Sequence, residues 1–270
     1  MDVLCVGFGY VGKAYALLLR ELGHSVDVLT APDKTEQEAE EYGYPYPTDD
    51  GKKYDACVIA VPTPTKTDGQ DLFIIKTVLD DVNNRYRIRN IIIKSTILPS
   101  EISKIEKTYK KKRQEFYLYP EFLEAHNPIG GVFNQTCCVF GKTGKWTDNQ
   151  KIFVSELLFG LKGKNVSFTN LETASMLKYV HNIWLSCNIS FWNSMMRCTR
   201  QLDIDYDLIL EETHKSKYFG IHPWHIGTGY GGACLPKDIK AFISSIDKGS
   251  KFLEFIKWID IVNNNLPQTK

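Results

Sequence analysis

No surplus of charge marks this chain: Lys+Arg come to 33 and Asp+Glu to 32, a formal net charge of +1. Without a basic excess there is no electrostatic footprint for nucleic acid or for an anionic membrane surface. No apolar run approaches the roughly 18 residues a membrane-spanning helix needs. No leader precedes the first strand-like stretch, "DVLCVGFG". No C-x-x-C pair occurs among the 7 cysteines, so no metal site is expected. Their odd number and irregular spacing point to a reducing cytoplasm. Internal repeats and low-complexity segments are also missing. What remains is ordinary for a soluble globular protein, 43% hydrophobic and 24% charged over 270 residues, enough for one large domain or two smaller ones. The one basic run, "KTYKKKR" at 107–113, follows a helical pattern and reads as a solvated helix end.

Two periods alternate over residues 1–168. Strand-like runs occur at Val3–Val6, Val26–Leu29, Cys57–Val61, Ile91–Ile93, Phe116–Tyr119, Cys137–Phe140 and Val166–Phe168. Helical patterns separate several of them, the clearest being Val11, Tyr15, Leu18, Leu19 and Leu22, which stops at Gly23. Such alternation predicts an α/β fold: a Rossmann-like, doubly wound parallel sheet. The texture then changes, and residues 169–270 read as an all-helical domain. Thr169 and Glu172 stand at capping-box spacing, and the chain runs to about Leu202 without Gly or Pro. That helix carries two apolar stripes. Leu177, Val180, Trp184, Cys187, Phe191, Met195, Cys198 and Leu202 form one; Ile189, Trp192 and Met196 form the other. A helix apolar on more than one face is buried on more than one side, so a homodimer through 172–202 is expected, with the second stripe against the partner.

Gly7-Phe8-Gly9-Tyr10-Val11-Gly12 directly follows the first strand and opens the first helix. In that context G-x-G-x-x-G is a dinucleotide fingerprint. The first glycine makes the turn, the second admits a pyrophosphate, and the third lets helix and strand pack closely. An acid about 20 residues further on should bind the ribose. Thr30 occupies that position, with Asp33 and Lys34 close by; Asp33 can stand in for the acid, so NAD is preferred, and Lys34 leaves NADP open. A second notable stretch is "GYGGACLPKD", 229–238, which sets Cys234 between two glycines and a Leu-Pro turn. A free cysteine is commonly a small buried hydrophobe; a presented one, with the Lys237 charge favouring its thiolate, is a nucleophile.

Six segments in order, "GFGYVG" (7–12), "VPTPTKTDGQDL" (61–72), "KSTILP" (94–99), "PEFLEAHNP" (120–128), "ETASMLKYVHN" (172–182) and "GYGGACLPKD" (229–238), resemble the nucleotide-sugar 6-dehydrogenase family. The resemblance implies NAD-dependent oxidation of the C6 alcohol of a UDP-sugar to a carboxylate, through a cysteine thiohemiacetal and thioester. It implies Cys234 as nucleophile, Lys178 and Asn182 as donors to the C6 oxygen, and Asp238 and Thr96 as partners of an ordered water. Glu121 is implied in thioester hydrolysis. The cofactor is expected along Gly7, Phe8, Gly9, Tyr10, Val11 and Gly12, with Thr30, Asp33, Val61, Pro62, Thr63, Thr96 and Lys237. The sugar nucleotide is expected on Phe122, Leu123, Glu124, Lys178, Asn182, Trp224, His225 and Gly231.

The chain also departs from the family pattern. Ala125 stands where a second glutamate is usual, and Tyr218 where an arginine reaches the partner's site. The family's third, UDP-binding domain has no counterpart before Lys270. Three readings follow: a minimal member that is still an enzyme, a relative acting on another alcohol or sugar, or a non-catalytic NAD-binding dimer.

Overall fold

The computed structural model describes residues 1–31, 33–47, 50–67, 69–123, 127–135, 137–159, 161, 165–216 and 227–267. Strands and helices alternate from the start: β1 (Asp2–Val6), α1 (Tyr10–Glu21), β2 (Ser25–Leu29), α2 (Lys34–Glu41) and β3 (Lys53–Ile59). A two-stranded ribbon, β4 (Thr65–Lys66) and β5 (Gly69–Gln70), leads to α3 (Phe73–Arg85), β6 (Arg87–Ile93), α4 (Pro99–Tyr109) and β7 (Glu115–Leu118). Next come α5 (Pro128–Phe133), β8 (Cys138–Gly141), α6 (Asp148–Leu157) and β9 (Val166–Thr169). Among the described residues the elements that follow are helices: α7 (Leu171–Gln201), α8 (Tyr206–His214), α9 (Leu235–Ser245) and α10 (Lys251–Asn264). Two compact units result, residues 1–64 with 70–178, and residues 65–69 with 179–270.

The first unit is built on one sheet in the order β2-β1-β3-β6-β7-β8-β9. All seven strand-like runs of the sequence lie in it. Side chains alternate between its faces, as the two-residue period requires. Val3 and Cys5 point into one core with Tyr15, Leu18 and Leu19 of α1. Leu4 and Val6 point into the other with Ile75 and Leu79 of α3 and Ile102 and Ile105 of α4. The adjacent cysteines separate likewise, Cys138 to the first core and Cys137 against the second. β1, β2, β3, β6 and β7 are parallel. β8 departs from the all-parallel expectation, meeting β7 antiparallel at Leu118↔Gly141 while pairing parallel with β9. The helix between β7 and β8 is only 6 residues, about 9 Å at 1.5 Å per residue, too short to carry the chain back along the sheet.

α7 starts one position later than the capping-box spacing indicates. Its first turn is capped by Asn170, whose Oδ1 accepts from the Thr173 amide at 2.7 Å, and Glu172 instead accepts a hydrogen bond from Ser103. In the second unit the two stripes of α7 have opposite fates. Ile189, Trp192 and Met196 are buried, Trp192 and Met196 against Tyr206 of α8. Val180, Trp184, Phe191 and Leu202 are exposed. The expectation that the second stripe faces a partner is therefore corrected. That stripe is core within the unit, because α8 folds back over it, and the first stripe is the one left open. α10 buries Leu253, Ile256 and Ile259 and exposes Phe255 and Trp258 beside the open stripe.

Candidate active site

The first unit carries the glycine turn. Gly7 has φ +90, a left-handed conformation that glycine alone adopts without strain. Its amide donates to Leu29 O of β2 at 2.8 Å. A Cβ on Gly12 would lie 1.9 Å from Gly7 O, so α1 packs on the turn as closely as backbone allows. A Cβ on Gly9 would meet nothing within 4 Å. The turn thus leaves open space at the one glycine where a pyrophosphate has to approach, at the N-terminus of α1. The fit to a dinucleotide is good. Phe8 is buried, edge-to-face with Tyr42 and Tyr44, so its side chain belongs to the core. Tyr10 is exposed and Val11 half-buried.

Thr30, at the end of β2, shares a 2.7 Å hydrogen bond with the Thr35 hydroxyl. Thr35 in turn gives its hydroxyl and amide to Asp33 Oδ1 at 2.6 and 2.7 Å. Asp33 is thereby the N-cap of α2. A hydroxyl pair backed by a capping carboxylate stands where a free acid is usual.

The neighbouring strands end beside this turn. After β3, Val61 N donates to Ser95 Oγ at 3.0 Å and Thr63 Oγ1 donates to Thr96 O at 2.7 Å. Pro62 is exposed and Thr63 buried. Gln70 Nε2 reaches the same Thr96 carbonyl at 2.8 Å and Gln70 Oε1 accepts from Leu98 N at 2.9 Å. The loop carrying Thr96 is therefore tied on both sides.

After β7, Glu121 is buried, its Oε1 accepting from the Phe122 amide at 2.7 Å. Its Oε2 lies 3.0 Å from Lys94 Nζ, and that lysine side chain is wholly buried. Lys94, in "KSTILP", has no expected role from the sequence; the signal for it is a lysine closing an apolar strand, Ile91–Ile93. Burial pulls its pKa from 10.5 down to about 8, with Glu121 opposing the shift. Lys178 Nζ lies 5.4 Å from the Phe122 ring centroid. Leu123 packs into the first core.

The second unit carries the thiol. Cys234 is exposed, at the N-cap position of α9, with Pro236 in the first turn. Asp238, in that first turn, is 1% exposed. It accepts from Asn182 Nδ2 of α7 at 2.6 Å and from Lys237 Nζ at 2.5 Å. The Lys237 ammonium thus goes to Asp238 rather than serving the thiol alone, and the Lys237 carbonyl accepts from Thr65 Oγ1 at 2.9 Å. Two buried amides that the sequence did not single out fix the loop before Cys234. Asn193 Oδ1 accepts from Gly227 N at 2.7 Å, and its Nδ2 donates to Thr228 O at 3.0 Å. Asn263 Oδ1 accepts from Tyr230 N at 2.6 Å, and its Nδ2 donates to Tyr230 O at 3.0 Å. Each reads backbone on both its polar atoms. Gly231 follows directly and is half-buried. Glu124, Ala125, Tyr218, Trp224 and His225 lie outside the described residues.

Residues 46–157 match the NAD binding domain of the UDP-glucose/GDP-mannose dehydrogenase family, and residues 172–265 match its central domain. The chain belongs to that family. Its dinucleotide is NAD, the cofactor for which the family's first domain is named. Among curated relatives, a UDP-glucose 6-dehydrogenase of Rickettsia bellii is 28% identical over 95% of this chain and 66% of its own length. Another, from Bacillus subtilis, is 24% identical over 98% of this chain and 66% of its length. The chain therefore spans just under two thirds of such family members. In fold it is similar to a UDP-glucose dehydrogenase from Pyrobaculum islandicum, with a TM-score of 0.83 at 21% identity, covering 97% of this chain and 68% of that one. It is also similar to a UDP-D-ManNAc dehydrogenase from Pyrococcus horikoshii, with a TM-score of 0.80 at 20% identity over 98% and 68%.

Proposed function

We propose that this chain oxidises the C6 primary alcohol of a UDP-sugar to the carboxylate, with Cys234 as the nucleophile. The observation that carries the reading is the presentation of Cys234. It is exposed at the start of α9, on a loop held by two buried asparagines, one turn before a buried and doubly bonded Asp238. Exposure is shared with Cys198 of α7, while Cys5 and Cys57 are buried as small hydrophobes; the helix start and the neighbouring buried Asp238 distinguish Cys234.

The chemistry follows from the residue types. NAD, held along the Gly7–Gly12 turn, would supply the hydride acceptor for each of the two oxidations at C6. Lys178 and Asn182 donate to the C6 oxygen as it becomes anionic. The Cys234 sulfur adds to the aldehyde carbon, giving a thiohemiacetal, and loss of the second hydride leaves a thioester on Cys234. Water adds to that carbonyl, the C–S bond breaks, and the thiolate departs with the acid released. Asp238 takes up a proton from the alcohol stage, and Glu121 accepts the proton of the attacking water. Water supplies the second carboxylate oxygen, so the alcohol and one water yield the acid and two reduced NAD. Phe122, Leu123, Gly231, Glu124, Trp224 and His225 are assigned to the sugar nucleotide. The exposed stripe Val180, Trp184 and Phe191, with Phe255 and Trp258 of α10, is assigned to a second copy of the chain.

Ala125 and Tyr218, which replace a carboxylate and an arginine usual in the family, favour one further reading: the same chemistry on a different or smaller sugar. Trapping the acyl-enzyme tests the thiol in either case. With Glu121→Gln and a UDP-sugar, peptide mass spectrometry is expected to find the acyl group on Cys234, and Cys234→Ser is expected to form no acid. An adduct on another cysteine, or full turnover by Cys234→Ser, removes Cys234 from the reaction.

A further inference from the structure

We propose that Lys94 is a positioning residue for thioester hydrolysis: buried at the carboxyl end of β6, it fixes the Glu121 carboxylate and the 120–122 backbone on which that carboxylate is carried. The inference rests on the proposed role of Glu121 in hydrolysis and extends it to a lysine whose side chain is wholly buried.

The geometry begins in the sheet. β6 and β7 are adjacent and parallel, with Ile93 opposite Leu118. The residues just past them come off the same carboxyl edge, where ligands of such sheets bind. Lys94 N is tied to Ile59 O of β3 at 2.8 Å, and Tyr119 N to Ile93 O at 2.9 Å. From that fixed point the lysine side chain runs inward rather than out to solvent. Its Nζ sits 3.8 Å from the Tyr15 ring centroid and 3.4 Å from that of Tyr119. It also lies 3.4 Å from Pro120 O and 3.0 Å from Glu121 Oε2. The two phenols are locked, both donating to Gln135 Oε1, at 3.0 Å from Tyr15 and 2.7 Å from Tyr119. The ammonium is thus caged by two ring faces and aimed at one carboxylate oxygen.

An ammonium in such a place is costly unless it does something that an apolar side chain cannot. The space between two tyrosine rings would take a methionine without an ion to desolvate. What a methionine cannot do is hold a carboxylate. Glu121 Oε1 is taken by the Phe122 amide, and Oε2 meets Lys94 without an aligned hydrogen bond from any described residue. Oε2 is therefore buried and held in place by the ammonium charge, which fixes the carboxylate as a whole. In the hydrolytic step a water adds to the thioester carbonyl carbon as the C–S bond to Cys234 breaks, and its proton passes to the Glu121 carboxylate. The charged and titratable groups around Lys94 are Glu121 and Tyr119 after β7, Tyr15 of α1, Cys138 of β8 and Lys178 of α7. Glu121 is the one that most favours the ammonium.

Two measurements on the full chain test this. The first needs no turnover. With carbon-13 at lysine Cε, the Lys94 signal, assigned by its loss in Lys94→Met, is expected to titrate near pH 8 and to move lower in Glu121→Gln. An unchanged midpoint in Glu121→Gln shows the two groups uncoupled and overturns the proposal. The second follows single turnover. Lys94→Met is expected to form acyl-Cys234 at close to the wild-type rate and to release acid about 100-fold more slowly, so that the adduct accumulates on quenching. A variant that folds, acylates and deacylates like wild type overturns the proposal, since a packing role alone would not slow one half-reaction. A wild-type chain that turns over no UDP-sugar ends the reading of Glu121, and the hydrolytic role with it, while the titration still reports whether the pair is coupled.

Discussion

Three glycines within six residues have three different jobs, and substitution separates them. Gly9 faces open space, whereas a Cβ on Gly12 would sit 1.9 Å from Gly7 O. Gly9→Val is expected to leave the melting temperature close to wild type and to weaken NAD binding more than tenfold, a loss of at least about 1.4 kcal/mol by calorimetry. Gly12→Val is expected to lower the melting temperature itself, because backbone has to move. Equal NAD affinity in Gly9→Val would place the pyrophosphate elsewhere. The glycines were legible because their spacing encodes their geometry. Lys94 was not, because its partner Glu121 is distant in sequence and only the β6–β7 pairing brings them together. Asp33 is expected at the cofactor, and its commitment to Thr35 as a helix cap depends on a local turn that composition does not reveal.

Elements were legible where a period is sustained. All seven sheet strands and the long helix carry strong patterns, and each stands within a few residues of its expected place. The reversal of β8 was not legible, because strand direction depends on the path of the connection and not on the strand's own residues. Nor were the clamps on the cysteine loop, since Asn193 and Asn263 sit on different helices, α7 and α10, and meet their loop only in the folded unit. Each satisfies buried backbone, so its loss leaves donors and acceptors unpaired. Asn263→Leu is expected to destabilise the chain by roughly 1–3 kcal/mol in chemical denaturation, and to speed hydrogen exchange at the Tyr230 amide. An unchanged exchange rate at Tyr230 would mean that the loop holds its shape without the clamp.

For the molecule as a whole, the apolar surplus of α7 was correctly located along the helix and assigned to the wrong side. Trp192 is 3% exposed and Trp184 60%. Trp184, Phe191, Phe255 and Trp258 line an apolar groove of about 510 Å³, and an exposed patch of this kind marks an interaction surface. Trp184→Glu is expected to shift a wild-type dimer to folded monomer in sedimentation, whereas Trp192→Glu is expected to unfold the second unit. A wild-type monomer at micromolar concentration would contradict the dimer. The chain covers 66% of the length of its Rickettsia bellii relative, and the two-stage oxidation proposed for it has a direct test. The most direct measurement is the stoichiometry of reduced NAD against sugar, read by absorbance with limiting UDP-sugars offered in turn. The account predicts two reduced NAD per sugar consumed, with a carboxylate product. One equivalent with an aldehyde product, or none from a protein that still binds NAD, would contradict it.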